Sequence, residues 1–355
     1  MSELSVAILW HMHQPFYRPV GGSFRLPWVY LHAIREYHDM AAWLEEVPEA
    51  TVNVNFTPSL VVQLEEYDRN LRAFFSRQAE TTGDRLLDVL AHGAASVPPQ
   101  DRRWVIAQAL RAHETHMIAR FPAFARLAAT ARQVLADGEA HWVSDAFVDD
   151  LIVWYHLAWM GETVRSTDLV CQRLLAKEKD YTAEDRRALL ARIHALIAEV
   201  LPRWKRLAAR GQVELSTTPY AHPILPLLLD FTAAHATEPE AEIPDEPYPR
   251  GKERARWHIE AAMRTHSRVF GEPPRGVWPA EGGVSEEALA LFAASGFQWA
   301  ATGEAVLNHS LGAAARAAAG ASPLYAPWRV DTPEGPMGLV FRDDRLSDKI
   351  GFEYQ

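Results

Sequence analysis

Cysteine is nearly absent from this sequence, since Cys171 is the one thiol in 355 residues. A single cysteine excludes an intrachain disulfide and a metal site built from several thiolates, and it is typical of a reducing compartment. We expect Cys171 to be a small buried hydrophobe rather than a reactive thiol. Long apolar runs are missing too, because no segment approaches the roughly 20 residues of a membrane helix. The first residues lack the basic segment of a signal peptide, so we expect a cytoplasmic protein with no membrane partner.

Clusters of basic residues are also missing. The 46 acidic side chains outnumber the 36 lysines and arginines, and the formal net charge is -10. A negative surface repels phosphate backbones and anionic lipids, which argues against nucleic acids and membranes as the main partners. A neutral polymer or a small polar ligand fits this charge better. The length allows one large domain or two of medium size.

Short apolar runs that end in polar residues recur along the chain. A continuous apolar run is typical of a strand buried on both faces of a parallel sheet. Parallel strands bring their carboxyl ends to one edge, so we predict an α/β fold with a barrel or open sheet and a site at that edge. The six runs cover residues 6–10, 51–56, 211–218, 276–278, 297–300 and 338–341. Between them, residues of about 64–210 have a helical pattern and are predicted to form a helical insertion beside the sheet.

The segment Gly276–Gly283 (GVWPAEGG) carries the first candidate for chemistry, Glu281. Proline fixes the backbone beside Trp278, the glycines permit close approach, and the indole offers a flat apolar face to a sugar ring. A catalytic carboxylate at a sugar site has these neighbours. The alternative is that Glu281 caps the helix that is predicted to begin near Ser285.

Two histidines follow the first predicted strand. His11 and His13 are two residues apart, so on an extended chain they point to the same side. Such a pair can hold a metal or donate hydrogen bonds to sugar hydroxyls. No further group at metal-ligand spacing stands out, so we favour hydroxyl recognition and predict no metal. Two structural histidines are the remaining alternative.

Further polar and aromatic residues accompany the predicted strand ends. Glu214 lies in a strand that is otherwise apolar, where a buried carboxylate needs a partner or a task, so we expect it to face the site. The alternative is that Glu214 lies at the edge of the sheet and pairs with an arginine. Trp28, Tyr220 and Trp278 can stack on sugar rings, or they belong to the core. Asp343, in the sequence Arg-Asp-Asp, can hold Glu281 or a substrate hydroxyl, with a solvated ion pair as the alternative.

Three segments in this order closely resemble the first three motifs of glycoside hydrolase family 57. They are His11–Pro15 (HMHQP), Gly211–Leu215 (GQVEL) and Trp278–Glu281 (WPAE). The amylopullulanase and α-amylase-like branch is resembled by the segments 26–29, 55–60, 218–227 and 341–352. The resemblance covers nearly the whole chain. It implies an incomplete (β/α)7 barrel with an attached helical region, which makes residues 1–355 one catalytic domain. It also implies a retaining mechanism on α-glucans without a cofactor.

The resemblance assigns roles residue by residue. Glu281 matches the nucleophile, whereas His11, His13 and Glu214 match substrate-binding positions. The family's fourth motif, which carries an aspartate acid/base, and its fifth motif are expected beyond Gln355, so the chain looks truncated before its last strand or strands. No residue here matches that aspartate. General acid–base help is worth roughly 10²–10⁴-fold, so we expect the isolated chain to be weak or inactive.

Three hypotheses remain open from the sequence. The first is a retaining hydrolase or transglycosylase acting on starch, glycogen or maltooligosaccharides. The second is a metal-dependent polysaccharide deacetylase on a related barrel, in which His11 and His13 bind the ion. The third is a glucan-binding remnant without catalysis. Hydrolysis or transfer, α-1,4 or α-1,6 preference and the oligomeric state are not defined by the sequence.

Overall fold

The computed structural model describes residues 6–319 and 323–353, and of residues 313–319 it describes the backbone alone. The chain divides into two compact units. The sheet unit consists of Met1–Pro15, Thr51–Val61 and Ala208–Gln355, and the helical unit consists of Phe16–Ala50 and Val62–Leu207. The assignment of the whole chain to one catalytic domain stays a prediction.

Among the described residues, the sheet unit contains seven strands in the order β1-β2-β3-β4-β5-β7-β6. The pairs from β1 to β5 and the pair β5–β7 are parallel, whereas β6 and β7 are antiparallel. The prediction of a mixed α/β fold with a parallel sheet is therefore confirmed. The strands are β1 (Leu9–Met12), β2 (Val52–Phe56), β3 (Val213–Thr217), β4 (Gly276–Val277), β5 (Trp299–Gly303), β6 (Trp328–Thr332) and β7 (Gly335–Arg342).

Each of the six predicted strands overlaps an observed strand, but the details differ at both ends of the sheet. The prediction that residues 6–10 are buried on both faces is wrong, because Val6 is 73% and Ile8 44% exposed. Strand β1 is the first in the sheet order and pairs with β2 alone among the described strands, so fewer neighbours cover it. Strand β6 was not predicted. Its charged residues Arg329 and Asp331 alternate with partly buried ones, as in a strand with one solvated face.

The core of the sheet unit lies between the parallel strands and their helices. Val277 of β4 and Ala300 of β5 are fully buried against Phe292 and Ile259. Burial of one such large apolar side chain contributes roughly 1.5–3 kcal/mol. The helices of this unit are α11 (Leu225–Leu229), α12 (Gly251–Phe270), α13 (Glu286–Ala294), α14 (Glu304–Ala319) and α15 (Asp344–Asp348), with short helical turns at Phe231–Ala236, Ala280–Gly282 and Lys349–Glu353.

The helical unit packs around α7, in which every residue from Leu151 to Trp159 is buried. Trp204, Tyr67 and Phe124 are among the largest fully buried side chains of the unit. Its helices are α1 (Trp28–Ala33), α2 (Glu36–Glu46), α3 (Pro58–Phe75), α4 (Arg85–His92), α5 (Arg102–Ala109), α6 (Pro122–Asp137), α7 (Asp145–Trp159), α8 (Glu162–Thr167), α9 (Leu169–Lys177) and α10 (Ala183–Ala209), with short turns at Ala94–Ser96, Pro99–Asp101 and Glu114–Ile118. Helix α3 begins, and α10 ends, within residues of the sheet unit.

The expectation that Cys171 is a buried hydrophobe is met. Cys171 is buried in α9, and desolvation, followed by the nearby Asp168 carboxylate, raises the pKa of its thiol to about 12. It is therefore a packed hydrophobe and not a nucleophile. None of the described helices combines the length and apolar character that crossing a membrane requires.

Candidate functional site

Polar side chains cross the first three strands near their carboxyl ends. The strand register pairs His11 with Asn55 and Asn55 with Ser216. Asn55 is fully buried; its Oδ1 accepts a hydrogen bond from His11 Nδ1 at 2.8 Å, and its Nδ2 donates to Ser216 Oγ at 3.3 Å. A buried amide with both ends bonded is rigid. This chain of hydrogen bonds therefore fixes the orientation and tautomer of His11.

Three histidines meet at this edge. His222, in the loop after β3, places its Nε2 3.2 Å from Nε2 of His11. Its ring stacks on His13 with 4.0 Å between centroids, and His13 Nδ1 lies 3.3 Å from Thr57 Oγ1. One ring nitrogen from each histidine lies within 4.8 Å of those from the other two. The cluster of His11, His13 and His222 is called the histidine cluster below.

The histidine cluster is held in its neutral form. Desolvation, and then the neighbouring His222, lower the pKa of His11 to about 3 and that of His13 to about 4. Desolvation also lowers the pKa of His222. Neutral imidazoles can accept hydrogen bonds or coordinate an ion near pH 7, which imidazolium cannot do.

Glu281 lies in the loop after β4, with its side chain 71% exposed and its Oε1 3.6 Å from His222 Nδ1. The alternative role of a helix cap is wrong, because Ser285 Oγ accepts the hydrogen bond from Ala288 N at the start of α13. The Glu281 backbone has φ 55°, a left-handed conformation, and Gly282 follows at φ 69°. Thr302 Oγ1 donates to the carbonyl of Gly282 at 2.5 Å and so holds the loop against β5.

His222 shares the left-handed backbone, with φ 59°. A non-glycine residue pays roughly 1–2 kcal/mol for this conformation. Such strained residues collect at functional sites, where the surrounding structure holds them in place. Two residues with strained backbones whose side chains approach to 3.6 Å are therefore a structural indication of function, independent of any sequence motif.

The aromatic residues predicted for the site are divided between the two units. Trp278 lies beside the histidine cluster, with 5.9 Å between its ring and that of His11. Tyr220 belongs to the loop that carries His222, and its ring packs edge-on against Trp257 at 5.4 Å. Trp28 belongs to the helical unit, where Arg111 lies 4.7 Å above its ring. A role for Trp28 in substrate binding stays a prediction.

Two predicted carboxylates have hydrogen-bond partners outside the histidine cluster. Glu214 is the second residue of β3, three residues before the strand ends, which is about 10 Å. It is exposed, not buried as expected, and accepts a 2.8 Å hydrogen bond from Trp299 Nε1. The indole reaches it across Gly276, where an added Cβ would lie 2.0 Å from the ring. Asp343 caps α15 and accepts a hydrogen bond from Tyr325 at 2.9 Å.

Sequence reasoning missed three residues of the site. His222 lies in the segment 218–227 that carries the family resemblance, but sequence spacing does not group it with His11 and His13, because it is 209 positions after His13. Asn55 and Thr57 orient the other two histidines, and they were not assigned a role. Asn55 carried a usable signal, since an asparagine inside the apolar strand sequence VNVNF must find partners when buried.

The arrangement combines an exposed carboxylate, three neutral imidazoles and an indole within one unit. An exposed carboxylate can attack an electrophilic carbon or accept a proton. The imidazoles can bind hydroxyl groups or a metal ion, and the indole can cover an apolar sugar face. The residues that could hold a metal among those described are His11, His13 and His222.

Comparison with known proteins shows which family this chain matches. Residues 7–355 match the model for glycosyl hydrolase family 57. Among solved structures, the chain is similar to an α-amylase from Thermotoga maritima (TM-score 0.44, 13% identity, 97% of this chain and 46% of that one). It is also similar to a branching enzyme from Thermococcus kodakaraensis in complex with glucose (0.45, 14%, 98% and 49%) and to a 4-α-glucanotransferase from Thermococcus litoralis (0.41, 13%, 98% and 28%). The chain spans less than half the length of each structure. No curated protein was found to match it.

Proposed function

Because this chain belongs to glycosyl hydrolase family 57, we propose that it acts on α-glucans as a retaining glycoside hydrolase or transglycosylase with Glu281 as nucleophile. The observation that carries the proposal is the Glu281 carboxylate, exposed on a strained loop beside Trp278 and the histidine cluster. The α-glucan preference rests on the family and on the motif resemblance. The substrate is accordingly a starch-like polymer or a maltooligosaccharide.

The proposed reaction runs through two displacements. A carboxylate oxygen of Glu281 attacks the anomeric carbon, the bond to the leaving oxygen breaks, and that oxygen must gain a proton. Water or a sugar hydroxyl then attacks the same carbon, releases the sugar and restores the carboxylate. His11 and His13 bind sugar hydroxyls, while Trp278 covers one face of the ring. Whether water or a sugar hydroxyl attacks in the second displacement depends on how well the site excludes water.

Glu281 supplies the attacking oxygen, and a separate group must protonate the leaving oxygen. The first displacement proceeds without that group when the leaving group needs no proton. An α-maltosyl fluoride meets that condition, because fluoride departs without protonation. This separates the nucleophile from the acid/base experimentally.

The test is to incubate the 355-residue chain with α-maltosyl fluoride and to search its peptides by mass spectrometry for a glycosyl adduct. We expect the adduct on the peptide that contains Glu281 and none in Glu281→Gln. An adduct in both proteins, or none in either, would contradict the proposal. Glucan binding without any adduct would favour a binding remnant. The family match favours glycosidic-bond chemistry over deacetylation, and release of acetate from an acetylated polysaccharide would reverse that preference.

A further inference from the structure

The histidine cluster has a geometry that recognition of sugar hydroxyls does not require. Nε2 of His11 and Nε2 of His222 are 3.2 Å apart. Two nitrogens that bind one tetrahedral zinc ion at 2.0–2.1 Å lie about 3.3 Å apart. We propose that His11, His13 and His222 form a binding site for a divalent transition-metal ion, with zinc as the best-suited ion. The site does not depend on the proposed glycosidase activity.

The third ligand, His13, completes the set after a small movement. Its coordinating nitrogen lies within 4.8 Å of those of the other two, so it must approach by up to about 1.5 Å. Rotation of the side chain supplies such a displacement. None of the three residues is fully buried, so an ion in solution can reach them. Three imidazoles are a ligand set that zinc uses with a fourth, open position.

The second nitrogen of every ring already faces an oxygen atom. Nδ1 of His11 lies 2.8 Å from Asn55 Oδ1, and Nδ1 of His13 lies 3.3 Å from Thr57 Oγ1. Nδ1 of His222 lies 3.6 Å from the carboxylate of Glu281. Metal-binding histidines almost always have such an oxygen partner, which fixes the ring and leaves the other nitrogen for the ion. Nε2 of His11 and Nε2 of His222 then face each other, and the coordinating nitrogen of His13 lies within 4.8 Å of theirs.

The hydrogen-bond directions give a second, independent reason. Nδ1–H of His11 donates a hydrogen bond to Asn55 Oδ1, so Nε2 of neutral His11 can only act as an acceptor. It therefore accepts a hydrogen bond from Nε2–H of His222. Neutral His222 then has a lone pair on Nδ1 that faces the carboxylate of Glu281. Two hydrogen-bond acceptors therefore lie opposite each other without a proton between them. An ion between the two Nε2 atoms replaces that proton. His222 then carries its proton on Nδ1 and donates it to Glu281.

From the sequence, hydroxyl binding was preferred to metal binding because sequence spacing groups only two histidines, His11 and His13. The fold adds the third from a loop that follows a different strand, and three ligands are the number that a zinc site needs. Metal binding and sugar binding compete for the same Nε2 atoms. The ion is therefore expected to be displaced by, or to exclude, a bound glucan.

The test is calorimetric titration of the metal-free 355-residue chain with zinc chloride at pH 7. We expect one equivalent of zinc to bind, and at least a tenfold weaker affinity in His222→Asn and in His13→Gln. Asparagine suits position 222 because it tolerates the left-handed backbone there. The control is His141→Asn, an exposed histidine of the helical unit, which should bind like the parent.

A second readout uses the unaltered chain and does not depend on the folding of a variant. Cobalt(II) in a tetrahedral site with three nitrogens gives strong visible absorption, which octahedral solvent cobalt lacks. We expect that spectrum on addition of one equivalent, and its loss on addition of zinc. An absence of zinc binding, equal binding by His222→Asn or His13→Gln, or an octahedral cobalt spectrum would each overturn the three-histidine site. None of these readouts uses glucan turnover, so they fail or succeed apart from the proposed function.

Discussion

The two units use their charged and polar side chains in different ways. In the helical unit, the carboxylate of Asp149 accepts from Arg186 at 2.6 Å and from the backbone nitrogen of Ala94 at 2.7 Å. Both side chains of this ion pair are at most 13% exposed. In the sheet unit, Glu281 is 71% exposed, and Nδ1 of the neutral His222 imidazole lies 3.6 Å from its carboxylate.

This difference separates groups that hold the fold from groups that remain available to a ligand. A buried ion pair loses most of its value when one partner is removed, because the other charge stays desolvated. An exposed carboxylate on a strained loop contributes little to stability and keeps its lone pairs for chemistry. The comparison therefore predicts large effects on stability in one unit and large effects on reaction in the other.

The largest expected effect is on reaction in the sheet unit. Glu281→Gln should slow glycosylation by α-maltosyl fluoride at least about 10³-fold, because the attacking oxygen is lost. Its free energy of unfolding should change by less than about 0.5 kcal/mol, as for other exposed sites. Rapid-quench kinetics and urea unfolding measure the two quantities. The matched control Glu287→Gln, an exposed residue of α13, should react like the parent. A large loss of stability in Glu281→Gln would break the comparison.

The next effect is on stability in the helical unit. Arg186→Met should lower the free energy of unfolding by about 3 kcal/mol, because Asp149 would keep its charge without the guanidinium. Arg72→Met removes a pair whose arginine side chain is 70% exposed, so we expect a loss of no more than about 1 kcal/mol. Urea unfolding of the three proteins gives both numbers. Equal losses in the two variants would show that burial does not set the cost.

A smaller effect depends on pH. Desolvation lowers the pKa of the fully buried His156 to about 4, although a hydrogen bond to Ile152 opposes the shift. The unfolded chain binds the proton first, so this stabilisation is present above pH 6.5 and is lost as pH falls towards 4. Between pH 7 and 5, the loss from this residue is about 2 kcal/mol. We expect His156→Gln to lose that much less stability over the same interval. Identical pH profiles for parent and variant would contradict the assignment.

The smallest effect tests backbone strain in both units. Glu281→Gly should be more stable than Glu281→Ala by about 1 kcal/mol, because glycine adopts φ 55° without the steric cost of a Cβ. Glu178 of the helical unit has φ 63° at the end of α9, and its glycine and alanine variants should differ by a similar amount. Thermal unfolding of the four proteins measures the differences. A difference at one position alone would indicate that the other backbone relaxes.

The fold was largely predictable because buried parallel strands are continuous apolar runs. Strand β6 was not predicted, because its sequence WRVDT alternates apolar with charged residues and is not a continuous apolar run. Its pairing with β7 also depends on the turn between the two strands. The burial of Glu214 was misjudged because its partner, Trp299, reaches it only across the bare backbone of Gly276. Such a contact depends on three strands in register, and no local pattern encodes it.

The site was predictable where one motif carries several of its residues, as in the pair His11 and His13 or in Trp278 and Glu281. It was not predictable where partners come from separate loops. His222 approaches the other histidines through a left-handed turn after β3, and neither that turn nor the stacking on His13 is visible in spacing. The catalytic role of Glu281 and the binding roles of the other residues stay predictions until the adduct is measured.

The buried thiol of Cys171 has a practical consequence for experiments on this protein. At neutral pH a thiol with a pKa near 12 is almost entirely protonated, and burial keeps reagents from it. A cysteine placed on the exposed surface of the sheet unit would then be the one that alkylating dyes label, without removal of the native residue. A fluorophore at such a position could report ligand arrival in real time on the otherwise unaltered chain.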